Sequence, residues 1–188
     1  MNSAAIHRID DPMRVLGISG WSGYGKTTLI EALLPRLHAR GWRVSTLKHA
    51  HHDVDLDTPG KDTWRHRQAG AHETLLATGR RWALLHELRD APEPSLAELL
   101  THLQPVDLVL VEGWKTGNYP KLEVWRPVGE HKPPRFLHDP TIIAVASTPR
   151  LEPTVYGRGD LSALALDDVD AIADFIIAYL RADSTLFC

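Results

Sequence analysis

Cysteine is almost absent from this chain. The one copy is Cys188 at the last position, which excludes an internal disulfide and any zinc site built on several thiolates. An excess of positive charge is missing too. Lys and Arg number 21 against 24 Asp and Glu, and a formal net charge of −3 gives nothing to track nucleic-acid phosphates. No apolar run approaches the roughly 20 residues of a membrane span, and no signal-peptide core is legible near Met1. The expectation is a cytoplasmic protein with neither a nucleic-acid nor a membrane partner. The 188 residues, 43% of them hydrophobic, suffice for one domain that buries a sheet between helices. That domain is expected over 13–182, with a flexible leader at 1–12 and a tail at 183–188.

Glycine is present and unevenly placed. "GISGWSGYGKTTLIEALLPRLHARG", Gly17 to Gly41, joins an apolar run to a helical pattern through a glycine-dense hinge. The spacing Gly20-x-x-x-x-Gly25-Lys26-Thr27 is the phosphate-binding loop pattern. Its flanks agree: Val15 to Ile18 reads as a buried strand, and Leu29, Ile30, Leu33, Leu34 and Leu37 recur at helical spacing. Glycines at 20, 23 and 25 let the backbone approach a ligand, and the loop and new helix turn their N–H groups into one concavity. Lys26 supplies charge to phosphate oxygens and Thr27 a hydroxyl for Mg²⁺. The alternative is a glycine-rich turn with no ligand, and the strand–loop–helix context argues against it.

The remaining pattern alternates strands and helices. Strands are expected at 14–19, 43–47, 73–77, 81–85, 106–111, 121–126 and 142–146. Helices are expected at 26–40, bent by Pro35, at 58–70 with Thr58 and Pro59 opening it, at 95–103 and at 167–180. This is an α/β fold with a mainly parallel, helix-covered sheet of the P-loop NTPase type and a short antiparallel strand pair.

A phosphate loop needs an acid for Mg²⁺ at the end of a nearby strand. "VDLVLVEGWK", Val106 to Lys115, places Glu112 at that edge, with Gly113 turning the chain. Asp107 is a rival acid, but it stands at the strand's start. Trp114 is a candidate to stack on a base, or a packing residue. In "KHAHHDVDLDTPGKDTWRHRQAGA", Lys48 to Ala71, the cluster His49, His51, His52, Asp53, Asp55 and Asp57 invites a zinc reading, yet its spacing matches no zinc pattern. A switch-like loop fits better. There Asp53 or Asp55 senses Mg²⁺ or orients water, and Lys61, Arg65 or Arg67 meets phosphate; a solvated polar loop is the plain alternative.

Four segments, "GWSGYGKTTL", "HDVDLDTPGKDTWRHRQAGA", "LVLVEGWK" and "YPKLEV" (Tyr119 to Val124), together resemble the molybdopterin-guanine dinucleotide biosynthesis protein B (MobB) family, over about residues 14–180. The resemblance implies a GTP-binding accessory protein of molybdenum cofactor maturation. It further implies a homodimer beside the guanylyltransferase that attaches GMP to molybdopterin, with a molybdoenzyme as a further partner. Gly20, Trp21, Ser22, Gly23, Tyr24, Gly25, Lys26, Thr27 and Thr28 would then contact nucleotide, and Glu112 the Mg²⁺. The guanine-reading Asn-Lys-x-Asp motif is missing: Ser147-Thr148-Pro149-Arg150 follows the strand where it is expected. Guanine preference therefore rests on the resemblance alone.

Lys26 and Glu112 supply binding and metal contacts, so slow GTP hydrolysis is expected. The competing class is a small-molecule kinase that holds its acceptor in the 113–135 loop, with Lys115, Lys121, Arg126, Lys132 and Arg135 as cations.

Overall fold

The computed structural model describes residues 13–50, 54–127 and 132–182, so the leader and tail lie outside the described residues. The first half of the chain runs β1 (Arg14–Ser19), α1 (Lys26–Ala39), β2 (Val44–Lys48), α2 (Asp62–Gln68), β3 (Glu73–Ala77), β4 (Trp82–His86) and α3 (Leu96–Thr101). Then come β5 (Leu108–Glu112), β6 (Lys121–Trp125), β7 (Ile142–Ser147), β8 (Ser162–Ala165) and α4 (Val169–Ala182). The chain divides into two compact units, Met1–His49 with Thr101–Cys188, and Ala50–Leu100.

The larger unit is a six-stranded sheet in the order β2-β5-β1-β6-β7-β8, with every pairing parallel. Strands buried on both faces read as unbroken apolar runs, which is why β1 and β5 take the interior. Val15, Leu16 and Ile18 are each at most 3% exposed, and Leu108 to Val111 at most 1%. On one face, Leu16, Ile18, Leu110, Leu122 and Val124 pack against Leu29, Leu33 and Leu37 of α1 and Ile172, Ile176 and Leu180 of α4. Truncating a fully buried leucine such as Leu33 to alanine costs about 2–5 kcal/mol. Arg36 and Arg40 of α1 pair with Asp170 and Asp174 of α4, but these bridges are largely exposed and contribute little. A second cluster of Phe136, Ile142, Val145, Leu151 and Leu161 lies around β7.

Helix α1 continues through Pro35. The proline removes only the bond from its own nitrogen to the Glu31 carbonyl. Strand β8 has no counterpart in the sequence reading. Its four residues, Ser-Ala-Leu-Ala, are only half-buried at the sheet's edge, so no alternation marks them.

The smaller unit pairs α2 with the antiparallel β3–β4 hairpin, whose register runs from Glu73↔His86 to Ala77↔Trp82. Helix α2 starts at Asp62, four residues later than expected. Gly60 adopts φ +84° and the Lys61 N–H bonds the Thr58 carbonyl at 3.1 Å, so Thr58 and Pro59 form a turn ahead of the helix instead of capping it. Arg67 gathers three carboxylates, Asp55 at 2.6 Å, Asp57 at 3.3 Å and Glu87 at 2.6 Å. Helix α3 opens with a capping box, in which Ser95 and Glu98 satisfy each other's N–H groups. No helix among the described residues is long and apolar enough to cross a membrane.

Candidate functional site at the carboxyl edge of the sheet

The turn from β1 into α1 is built on backbone angles that glycine permits. Gly20, Gly23 and Gly25 have φ of +136°, +79° and +95°. At Gly20 close approach adds to the angle, because a Cβ there would stand 2.4 Å from the Val124 carbonyl oxygen. Only glycine lets the loop leave β1 against β6. Gly25 is the N-cap of α1, and the helix has neither a side-chain cap nor an acid in its first turn. By contrast, α4 is capped by Asp168, whose carboxylate accepts the Ala171 N–H. The first N–H groups of α1 thus have no side-chain acceptor, an arrangement suited to an anion.

Within the loop, the Lys26 Nζ donates to the Trp21 carbonyl at 2.8 Å. Burial lowers the Lys26 pKa; Lys48 and Arg135 push it the same way, and Glu112 opposes them. The amine is short of negative charge, which a polyphosphate would supply. Tyr24 is buried and anchors the loop, while Ser22 and Thr28 are exposed. Trp21 donates its indole N–H to the Pro133 carbonyl at 2.9 Å. The Arg135 guanidinium and the Lys132 ammonium lie 4.1 and 4.9 Å from its ring centroid.

Glu112 ends β5 in register with Ile18 of β1 and Lys48 of β2. Its carboxylate accepts from the Thr27 hydroxyl at 3.1 and 3.3 Å and pairs with the Lys48 ammonium. Lys48 is a member of this cluster that sequence reasoning passed over. The signal was its position as the last residue of β2, at the same edge. Asp107 sits at the other end of the β5 segment, where it accepts the Arg43 N–H at 2.6 Å and pairs with that guanidinium.

Past Glu112, Gly113 has φ +87°, and a Cβ there would meet the His49 carbonyl oxygen at 2.3 Å. The His49 N–H bonds the Glu112 carbonyl at 2.8 Å, so the exits of β2 and β5 are held together. Trp114, the candidate base-stacking or packing residue, packs against His49, with ring centroids 4.7 Å apart.

Hydroxyl and carboxylate oxygens are the hard donors Mg²⁺ prefers. The Thr27 hydroxyl and the Glu112 carboxylate, 3.1 Å apart, would hold such an ion between them. The chemistry of this donor set fits magnesium. Among the described residues no group of three or more His, Cys, Asp or Glu could hold a metal. His51, His52 and Asp53 lie outside the described residues.

Asp55, Lys61 and Arg65 belong to the smaller unit. Asp55 is held by Arg67 and also accepts the Asp57 N–H at 3.0 Å; Lys61 is the N-cap of α2, and Arg65 lies on that helix. Arg67 is committed to its three carboxylates. Beside the phosphate loop, Trp21, Lys115, Lys121, Arg135, His138 and Asp139 border a cavity of about 420 Å³. Lys121 is saturated by the Gly117 carbonyl, Asp139 and Thr141.

The family profile described as "Molybdopterin guanine dinucleotide synthesis protein B" matches residues 15–148. The chain belongs to the MobB family. It is 40% identical over 169 residues to the molybdopterin-guanine dinucleotide biosynthesis adapter protein of Escherichia coli K12, covering 89% of this chain and 93% of that protein. It is 39% identical over 176 residues to the Haemophilus influenzae adapter protein, covering 92% and 93% of the two chains. A crystal structure of a MobB homologue from Bacillus stearothermophilus superposes with a TM-score of 0.65 at 26% identity, covering 91% of this chain and all of the other. The mainly parallel sheet with its separate strand pair is thus a MobB fold.

Proposed function

We propose that this chain is an accessory protein of molybdenum cofactor maturation that binds GTP·Mg²⁺ at Gly20–Thr28. It assists the guanylyltransferase that attaches GMP to molybdopterin, and serves a molybdoenzyme that receives the cofactor. One observation carries the nucleotide half: the Thr27 hydroxyl meets the Glu112 carboxylate beside a glycine loop whose helix lacks a side-chain cap. In this reading the loop N–H groups and Lys26 bind the phosphates, while Thr27 and Glu112 hold Mg²⁺. Bound there, the ion neutralises phosphate charge. Lys48, which pairs with Glu112, would add a second cation at the same edge. The switch role of Asp53, Asp55, Lys61 and Arg65 belongs to the same proposal. The accessory half is supported by the family and by the relatives' name, adapter protein.

A homodimer in the cytoplasm completes the reading. The β3–β4 ribbon exposes Leu75, Trp82 and Leu84 on one face, each 41% exposed or more. Two-stranded ribbons are marginal alone, and a contiguous apolar face of this kind suits a second copy.

The deciding experiment titrates GTP and ATP into the protein and into Lys26→Ala, with and without Mg²⁺, and assays free phosphate against a phosphorylated acceptor. The variant should stay folded and lose GTP affinity about tenfold or more, because charge-assisted contacts contribute about 1.5–3 kcal/mol. Unchanged GTP affinity would remove the loop from the reading. A phosphorylated small molecule would establish the kinase instead.

A further inference from the structure

Arg126 directly follows β6, and its guanidinium atoms lie 3.7–3.9 Å from where a Cβ on Gly25 would stand. It therefore flanks the last glycine of the phosphate loop, at the N-cap of α1. Its Nε is buried and finds no hydrogen-bond partner. A guanidinium stays charged at any pH a protein tolerates, and burying one of its donors unpaired is costly unless a ligand completes it. Among the described residues, the acids of the adjoining segments are committed elsewhere. Glu123 accepts the backbone N–H groups of Arg135 and Phe136, Glu112 is held by Thr27 and Lys48, and Asp139 by Lys121 and Thr141. What remains is a permanent cation set beside the positive end of a helix, which repels it until an anion arrives.

We propose that Arg126 is a phosphate ligand supplied in cis, contacting the nucleotide's polyphosphate from outside the loop while Lys26 contacts it from within. Lysine offers a point charge; arginine offers a planar fork that holds two phosphate oxygens at once. The inference rests on the phosphate-loop reading above and adds to it an arginine that the sequence offered only as a cation of an acceptor loop. Arg67, the earlier candidate, is taken up by Asp55, Asp57 and Glu87. Arg135 is stacked on Trp21, so its guanidinium plane is already covered on one side.

The test compares the full-length protein with Arg126→Ala, Arg126→Lys and Lys26→Ala. Each is titrated with GTP, with GMP and with inorganic pyrophosphate at several salt concentrations, and each is melted thermally. Arg126→Ala should weaken GTP and pyrophosphate binding about tenfold or more, with GMP affected least. The dependence of affinity on salt should flatten, and low-millimolar guanidinium should restore part of the loss. Arg126→Lys should fall between. Wild-type GTP affinity in Arg126→Ala, with Lys26→Ala defective, overturns the proposal and leaves the phosphate loop standing. A loss that tracks the melting temperature, keeps the salt slope and ignores guanidinium makes Arg126 a packing residue and also overturns it. If Lys26→Ala too binds GTP normally, the phosphate-loop reading itself fails.

Discussion

The Thr27 hydroxyl lies 3.1 and 3.3 Å from the two carboxylate oxygens of Glu112, which joins the first turn of α1 to the end of β5. The two residues are 85 positions apart in the chain, and only the parallel pairing of β1 with β5 brings them together. A magnesium site needs this kind of convergence, because the ion draws its ligands from separate elements.

Glu112→Gln keeps the shape and removes the charge. The Mg²⁺ concentration for half-maximal GTP binding should rise about tenfold, as one charge-assisted contact is lost. The fold should hold, since the amide oxygen still accepts from Thr27. An unchanged Mg²⁺ titration would reduce Glu112 to an ordinary strand end and move attention to Asp53 and Asp55.

Gly20→Ala should be severe for a reason separate from binding. Its φ of +136° and the 2.4 Å approach to the Val124 carbonyl leave no room for a methyl group. The expected loss is about 3 kcal/mol, combining backbone strain with overpacking. Gly79→Ala is the control, because nothing lies within 4 Å of a Cβ there. It should stay within about 0.5 kcal/mol of wild type. Chemical denaturation of the two variants decides; equal stabilities would mean that the loop moves freely away from β6.

The phosphate loop and Glu112 were legible because their information is local, a fixed spacing between an apolar run and a helical period. What escaped was lateral or steric. Lys48 joins Glu112 only through the β2–β5 register, which no short window contains. The turn at Thr58–Lys61 escaped because Pro after Thr is equally a helix opener, and the left-handed Gly60 decided against it. Arg126 was visible as a cation of the 113–135 loop, but its place against Gly25 required the sheet order. Strand β8 carries too little side chain to show a period.

The Lys121–Asp139 pair, at 3.1 Å, predicts a pH effect on stability. Burial works to raise the Asp139 pKa, but bonds from Thr141 and Lys121 outweigh it and hold the carboxyl below its usual value. A carboxyl depressed in the fold stabilises above its unfolded pKa and loses that contribution as pH falls through the folded one. Asp139→Asn should therefore cost about 1–3 kcal/mol at neutral pH, where buried Lys121 loses its partner. The gap to wild type should close below a pH of about 4. Urea unfolding across that range is the measurement, and a pH-independent gap would assign the effect to packing.

Self-association through the β3–β4 ribbon is tested by Leu75→Glu with Trp82→Glu. Both side chains are more than half exposed, so the folded monomer should tolerate the charges. Light scattering should give a dimer for the wild type and a monomer for the variant. A dimer that survives both substitutions would place the contact elsewhere.

Hydrolysis of GTP by the protein alone should be slow. In the proposed reading Lys26, Thr27 and Glu112 account for binding and metal and Arg126 adds charge, but among the described residues no side chain is evident that orients a water. P-loop proteins with an incomplete set turn over at about 10⁻⁴ to 10⁻² s⁻¹, and the missing parts add roughly 10³- to 10⁵-fold when a partner supplies them. Single-turnover phosphate release should therefore fall in the slow range, and should speed up, if at all, when the guanylyltransferase is added. Arg126→Ala should slow it further while leaving the effect of the partner in place. Rapid release by the protein alone would contradict an accessory role and point to a self-sufficient enzyme.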